Sequence, residues 1–300
     1  MAILADESTR ILIQGITGRE AASMSREMLD YGARVVAGVT PGKGGQDVHG
    51  IPVYDTVALA CERHGPSAAV VSVPPRIVKD AVMEDAAHGI NLAVVLTERI
   101  PRQDVIEMIA YARERGMRII GPNSPGTICP KKTRLGYLGG SNPDRSFQPG
   151  PVGLISRSGG MTTEIADLLM REGIGVTTAV GMGGDPVVGS TYTDLFPLFE
   201  ADQETRVIVI YCEPGGSKEE ALAEKLRTEF KKPVVAFLGG KFVDGMPGMR
   251  FGHASVIVRP DSGSGSAKDK IRRLKDAGAV TVEHYSELAL AVKELLTGTA

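Results

Sequence analysis

The sequence predicts an α/β protein of two domains, each built on a parallel sheet. Short apolar runs rich in Val and Ile alternate with amphipathic stretches of helical length, the pattern of successive βαβ units. Between Gly121 and Gly150 this pattern lapses into Pro, Gly, Asn and Ser around Lys131 and Lys132, and it restarts at Val152. The lapse reads as the crossing between domains, placed at 1–125 and 126–300. With 300 residues, 42% hydrophobic and 23% charged, the chain is long enough for two cores of ordinary size.

In chain order, strands are expected at Ile11–Gln14, Arg34–Gly38, Ala68–Val73, Leu92–Leu96 and Arg118–Ile120 in the first domain. The second should hold Val152–Ile155, Val176–Ala179, Val207–Tyr211, Pro233–Phe237 and Val280–Val282. Each run is short, β-branched and followed by glycine, proline or polar residues, so loops gather at the strand ends. In open parallel sheets such loops converge on one crevice, where ligands bind.

The first strand opens into Gly15-Ile16-Thr17-Gly18-Arg19-Glu20 and then a helical pattern. A strand, a glycine turn and a helix start form an anion site, because free backbone N–H groups and the helix dipole both point at a phosphate. A nicotinamide dinucleotide is disfavoured: Glu20 replaces the third glycine of the usual fingerprint, and the second strand ends in Val36-Ala37-Gly38-Val39 without a carboxylate for a ribose diol. It runs instead into Pro41-Gly42-Lys43-Gly44-Gly45, where a cation on a glycine loop suits the extra ribose phosphate of coenzyme A. The alternative is a set of ordinary turn glycines with a solvated Lys43. Ser72-Val73-Pro74-Pro75 and Leu96-Thr97-Glu98-Arg99 end the next two strands, and Gly121-Pro122-Asn123-Ser124-Pro125-Gly126 follows the fifth, where a thioester terminus could lie.

The second domain repeats the device. Val152–Ile155 leads through Ser156-Arg157 into Ser158-Gly159-Gly160, a second helix start able to hold a phosphoryl group; the alternative is a serine N-cap on an ordinary helix. Glu213 follows Val207–Tyr211 directly, placed to accept one imidazole N–H and leave the other nitrogen nucleophilic. His253, in Arg250-Phe251-Gly252-His253-Ala254, lies between the glycine stretches Gly239-Gly240 and Asp261-Ser262-Gly263-Ser264-Gly265. An imidazole so flanked is presented on a loop, either as a nucleophile or as an ordinary polar loop residue.

Net charge is −2, and Lys and Arg are scattered, which argues against nucleic acid or membrane partners and for small molecules or protein. Cys61, Cys129 and Cys212 are too few and too widely spaced for a disulfide framework or zinc, so no metal site is expected in this chain. The N-terminus enters a folded pattern without a leader, and the cytoplasm is the expected compartment.

Taken in order, Gln14-Gly15-Ile16-Thr17-Gly18, Gly38-Val39-Thr40-Pro41-Gly42-Lys43-Gly44-Gly45, Gly121-Pro122-Asn123, Ser156-Arg157-Ser158-Gly159, Gly183-Gly184-Asp185-Pro186, Gly215-Gly216 and Gly252-His253-Ala254 resemble the α subunit of succinyl-CoA synthetase and related NDP-forming acyl-CoA ligases across essentially the whole chain. The resemblance implies a Rossmann-like coenzyme A domain, a flavodoxin-like ligase domain, and a β subunit whose ATP-grasp fold binds ATP or GTP with Mg²⁺. It makes Thr17, Gly18, Arg19, Glu20, Lys43, Leu96, Thr97 and Glu98 the coenzyme A contacts. His253 becomes the phosphorylated nucleophile, Glu213 its orienting carboxylate, and Ser158, Gly159 and Gly160 the phosphate cradle, with Thr163 and Asn123 toward the carboxylate substrate. The implied route passes through an acyl phosphate and a phosphohistidine.

Departures from the family pattern bear on the substrate and, at Pro214, on the tilt of Glu213, while Gly121–Gly126 otherwise keeps the succinate-type pattern. Thr163 stands where succinate-specific members carry Tyr, and the Ser158–Met161 run is closer to citryl-CoA synthetase and ATP-citrate lyase. Ser124 stands where a Cys is usual, and Pro214 interrupts the usual Glu-Ile-Gly-Gly. Two other classes stay open: a Rossmann-type dehydrogenase, and a coenzyme A sensor indifferent to His253.

Overall fold

The structure is a computed structural model that describes residues 3–246, 250–251, 256–257 and 265–298. It divides into two compact units: Leu4–Asp144 with Gly181–Gly189, and Met1–Ile3 with Arg145–Val180 and Ser190–Ala300. By compactness, the first unit therefore runs past residue 125 and takes in a second, short segment of chain.

In the first unit, β1 (Ile11–Gln14), α1 (Arg19–Asp30), β2 (Val35–Val39), β3 (Asp47–Val48), β4 (Ile51–Tyr54), α2 (Val57–His64), β5 (Ala68–Val71), α3 (Val78–Ala87), β6 (Leu92–Val95), α4 (Arg102–Glu114) and β7 (Arg118–Ile120) follow one another. They form a sheet of order β3-β4-β2-β1-β5-β6-β7. Without the short antiparallel β3, this is the Rossmann order 3-2-1-4-5-6, with parallel pairing throughout. Strands β1, β5 and β6 are buried along their whole length, which is why their sequences are apolar without alternation. One core joins these strands to Val57, Val82 and Met108 on α2, α3 and α4. Helix α2 shows how its ends are set: the Thr56 hydroxyl accepts from the Leu59 N–H at 3.3 Å, and Gly65 closes the helix in the left-handed conformation.

The stretch expected to be a domain crossing contains the change of unit at Asp144–Arg145, and before it an antiparallel hairpin of β8 (Gly126–Cys129) and β9 (Thr133–Gly136), buried at every position. The hairpin was not foreseen, because its buried residues include the polar Thr127, Thr133 and Arg134. Strands β3, β4, β8 and β9 all escaped the sequence reading, being short or broken by Pro and Gly.

The second unit holds β10 (Pro149–Ser156), α5 (Gly159–Arg171), β11 (Val176–Gly181), α6 (Tyr192–Ala201), β12 (Val207–Cys212), α7 (Lys218–Leu226), β13 (Val234–Leu238), β14 (Arg250–Phe251), β15 (Val256–Ile257), α8 (Ala267–Asp276), β16 (Val280–Val282) and α9 (Leu288–Thr297). Its principal strands lie in the order β16-β13-β12-β10-β11. Counted within the unit this is 2-1-3-4-5, the flavodoxin order. The two-strand pair β14–β15 is antiparallel, and residues 252–255 between its strands, His253 among them, lie outside the described residues.

Beneath β1, the wholly buried Asp85 of α3 accepts from Gln14 Nε2 at 3.0 Å through one carboxyl oxygen, while the other has no partner. Burial pushes the Asp85 carboxyl well above its usual value, outweighing the Gln14 hydrogen bond. The folded state therefore holds a proton that the unfolded chain releases above about pH 4, so this group costs stability as pH rises. Asp85→Asn should lift that cost: its unfolding free energy relative to the parent, from urea titrations, should rise by about 1–3 kcal/mol between pH 5 and 8.

Candidate functional site

In the first unit the strand order reverses at β1, which has β2 on one side and β5 on the other. A ligand crevice belongs at the carboxyl ends of these strands. A cleft of about 930 Å³ lies there, lined by Gly18, Arg19 and Glu20 of the α1 start, by Ser72–Pro75, by Leu96–Arg99, and by Asn123 and Tyr137.

The Gly15 turn makes the crevice possible. Gly15 has φ +79°, and a β-carbon there would stand 2.4 Å from the Ser72 carbonyl oxygen. Gly18 caps α1 with no side-chain hydrogen bond, so no side chain occupies the helix's leading N–H groups. Three successive strand-end loops are stitched together at Thr97: its hydroxyl donates to the Val73 carbonyl at 2.8 Å, and its own carbonyl accepts from the Asn123 N–H at 3.0 Å. The Asn123 amide donates to Asp185 at 3.0 Å. Gly183, close by in sequence, has φ +102° and leaves room for the Pro122 carbonyl, which would be 2.2 Å from a β-carbon there.

Of the residues expected to contact a phosphate-bearing ligand, Gly18, Arg19, Glu20, Leu96, Thr97 and Glu98 line this cleft, joined by Asn123. Thr17 and Lys43 do not line it. Thr17 is half-buried and donates to the Thr40 hydroxyl at 3.2 Å, and Lys43 is exposed on the turn after β2. Sequence reasoning missed Tyr137, which sits just past β9 in the stretch taken for a crossing. Burial, with Glu98 and Glu20 nearby, raises its phenol above the ordinary value, so it stays protonated as a donor.

In the second unit the order reverses at β10, between β11 and β12. Ser158 caps α5, its hydroxyl accepting from the Met161 N–H at 3.4 Å. Gly159 and Gly160 form the exposed or half-exposed first turn, and Thr163 is half-buried one turn along. Because β10 and β12 pair in parallel with Ser156 opposite Tyr211, the Ser158 turn and Glu213 emerge side by side.

Arg157 joins them. Its Nη1 donates to the carbonyls of Glu213 at 3.0 Å and Gly215 at 3.2 Å and to the carboxylate of Glu219, in the first turn of α7, at 3.1 Å. The other Glu219 oxygen accepts from Lys270, which also donates to the Gly216 carbonyl at 3.0 Å and to Glu220 at 3.1 Å. Arg157, Glu219 and Lys270 are 2%, 0% and 0% exposed, so three charges are held out of water. Burial drives the Glu219 carboxyl upward, but Arg157 and Lys270 outweigh it and hold it below its ordinary value. Gly215 donates to the Gly265 carbonyl at 2.8 Å, which ties the turn to the chain entering α8. The sequence carried a signal for this cluster: Lys270 interrupts the buried Ala267–Leu274 stripe of α8, and Glu219 shares the buried face of α7 with Leu222 and Ala223.

Comparison with known proteins follows the same division. A CoA binding domain model matches residues 6–99, and a model described as succinyl-CoA ligase like flavodoxin domain matches residues 149–295. The α 1 subunit of an ADP-forming succinate–CoA ligase from Archaeoglobus fulgidus is 43% identical over 296 residues, 99% of each chain. That from Staphylococcus epidermidis is 41% identical over 96% of this chain and 93% of its own. This chain belongs to the succinate–CoA ligase α-subunit family. It is accordingly a subunit of an NDP-forming acid–thiol ligase and carries a coenzyme A-binding domain. An ATP citrate lyase from Methanothrix soehngenii, solved with citrate and coenzyme A, matches 99% of this chain at TM-score 0.90 and 25% identity, and the chain spans 51% of that protein. A dinucleotide-forming acetyl-coenzyme A synthetase from Ca. Korarchaeum cryptofilum shares the fold at TM-score 0.75 and 21% identity. The dehydrogenase reading is thereby set aside. Among the described residues no helix is long and apolar enough to cross a membrane.

Glu219→Gln leaves the buried Arg157 without a carboxylate partner and Lys270 with Glu220 alone. It should lower the unfolding free energy of this α subunit by about 3–5 kcal/mol in urea titration. In the parent chain, the stability contributed by ionised Glu219 is present above its ordinary value of 4.5 and is lost as pH falls through the lower folded-state value.

Proposed function

We propose that this chain is the α subunit of a carboxylate–CoA ligase of the succinyl-CoA synthetase type, working through a phosphohistidine at His253. The supporting observation is the Arg157 joint, which sets the Ser158 helix start and the Glu213 turn side by side at the reversal point of the second sheet. Free N–H groups there suit a phosphoryl group, and the Glu213 carboxylate suits the imidazole N–H. His253 itself lies outside the described residues.

The proposed steps balance as follows. An imidazole nitrogen of His253 attacks the terminal phosphorus of the nucleoside triphosphate, and the diphosphate leaves. A carboxylate oxygen of the acid then attacks the phosphohistidine phosphorus, giving an acyl phosphate and free His253. The coenzyme A sulfur attacks the acyl carbon, inorganic phosphate leaves with the bonding pair, and the thiol proton passes to that phosphate. Glu213 holds the proton-bearing imidazole nitrogen so that the other is the nucleophile, and the α5 start stabilises the transferring phosphoryl charge.

The first-unit cleft takes coenzyme A, its pyrophosphate toward Gly18 and Arg19 and its thiol end toward Asn123. Lys43, across the β2 turn, meets the ribose phosphate. A β subunit of ATP-grasp fold supplies the nucleotide site and Mg²⁺, and the ADP-forming names of the relatives favour ATP over GTP. The acid is a di- or tricarboxylate. Succinate follows from the relatives' names; citrate is favoured by the short Thr163 and by the citrate-bound lyase of like fold. The working compartment is the cytoplasm.

The deciding experiment co-expresses the chain with its β subunit, labels it with γ-labelled ATP, and chases with coenzyme A and single acids. An acid-labile, alkali-stable label is expected, discharged by one acid with coenzyme A. His253→Asn should lose labelling and turnover while keeping coenzyme A affinity within about twofold. Labelling that persists in His253→Asn refutes the phosphohistidine assignment, and coenzyme A binding without any labelling of the parent favours a sensor.

A further inference from the structure

The first unit buries a second guanidinium. Arg134 of β9 has a fully buried side chain, although the chain around it reads as loop. One terminal nitrogen donates to the carbonyls of Leu138 at 3.2 Å and Gly140 at 2.5 Å, and the other meets the Glu27 carboxylate of α1 at 3.3 Å. The guanidinium carbon lies 5.8 Å from the ring centre of Tyr31, at the C-terminal end of the same helix.

These contacts tie together two elements that both line the cleft. Helix α1 contributes Gly18, Arg19 and Glu20 at its start, and the turn after β9 contributes Tyr137. The Tyr137 N–H is anchored to the Pro125 carbonyl at 2.9 Å, and its carbonyl accepts from Gly140 at 3.0 Å, so the turn that Arg134 grips is the one that presents the tyrosine. Arg134 itself does not line the cleft. The Arg134 Nε is buried without a partner, so the two terminal nitrogens carry the whole grip, and losing either set of contacts would leave a buried charge underpaired.

We propose that Arg134 is a positioning residue for coenzyme A: through Glu27 and the Leu138 and Gly140 carbonyls it clamps the Tyr137 turn to α1 and so fixes the width of the cleft. The inference rests on the reading of this cleft as the coenzyme A site. A lysine at this position keeps the charge but lacks the planar fork needed to hold a carboxylate and two carbonyls together.

Arg134→Lys in the α subunit assembled with its β subunit should therefore raise the calorimetric Kd and the KM for coenzyme A by about tenfold or more. The kcat at saturating coenzyme A, the KM for the acid, and ATP labelling of His253 without coenzyme A should stay at parental values, which a general loss of structure would not allow. Should Arg134→Lys fail to fold, the paired Arg134→Met, Glu27→Met variant removes both charges at once and is expected to fold while binding coenzyme A weakly. Parental coenzyme A affinity in either folded variant overturns the proposal. Failure of the unaltered enzyme to bind coenzyme A overturns instead the reading of the cleft, and the clamp with it.

Discussion

The buried ionic cluster of Arg157, Glu219 and Lys270 is the constraint on which the second unit's site depends. Three charges without solvent are costly, and the arrangement survives because each is paired and because Arg157 and Lys270 also satisfy the Glu213, Gly215 and Gly216 carbonyls. Those carbonyls belong to a turn that has no helix or sheet ladder to hold them. The cluster substitutes for regular hydrogen bonding where the chain must be irregular, and it does so from helices α7 and α8 behind the sheet. A hydrophobic replacement could match its stability but could not cap the turn.

Both units place their crevices by one rule of parallel sheets. Where successive connections leave a central strand in opposite directions, the loops at its carboxyl end part and open a gap. At β1 the gap is lined by a bare helix start and three stitched loops; at β10 it holds the Ser158 cap and the Glu213 turn. The same backbone device thus opens a gap in each unit, and side chains supply the difference between the two.

The fold was largely legible because buried parallel strands leave continuous Val and Ile runs, and every strand expected from such a run is present. The hairpin β8–β9 was not, because its buried positions include Thr127, Thr133 and Arg134, and burial of polar residues is set by partners distant in sequence. The same reason hid the Arg157 cluster: Glu219 and Lys270 are 51 residues apart and meet only in the fold. The strand-end loops that line the cleft, with Gly18, Thr97 and Asn123, were readable because glycine, proline and polar punctuation marks them. Thr17 was placed by the same motif, yet its hydroxyl turns to Thr40, a choice of rotamer that spacing does not reveal.

Arg134 and Arg157 solve one problem twice. Each donates through a single terminal nitrogen to carbonyls two residues apart, Leu138 and Gly140 in one case and Glu213 and Gly215 in the other, and each is balanced by a carboxylate from a helix, Glu27 or Glu219. A turn that presents a functional side chain has carbonyls facing inward, and water there would loosen it. A guanidinium fills that space with donors in a fixed plane, where an ammonium offers a point charge without the fork. Both side chains are buried, and Arg134 does not line the first unit's cleft, so the geometry of each turn is set by charge pairing in the interior. Substitutions at these arginines should therefore disturb the geometry of binding through residues that never touch the ligand.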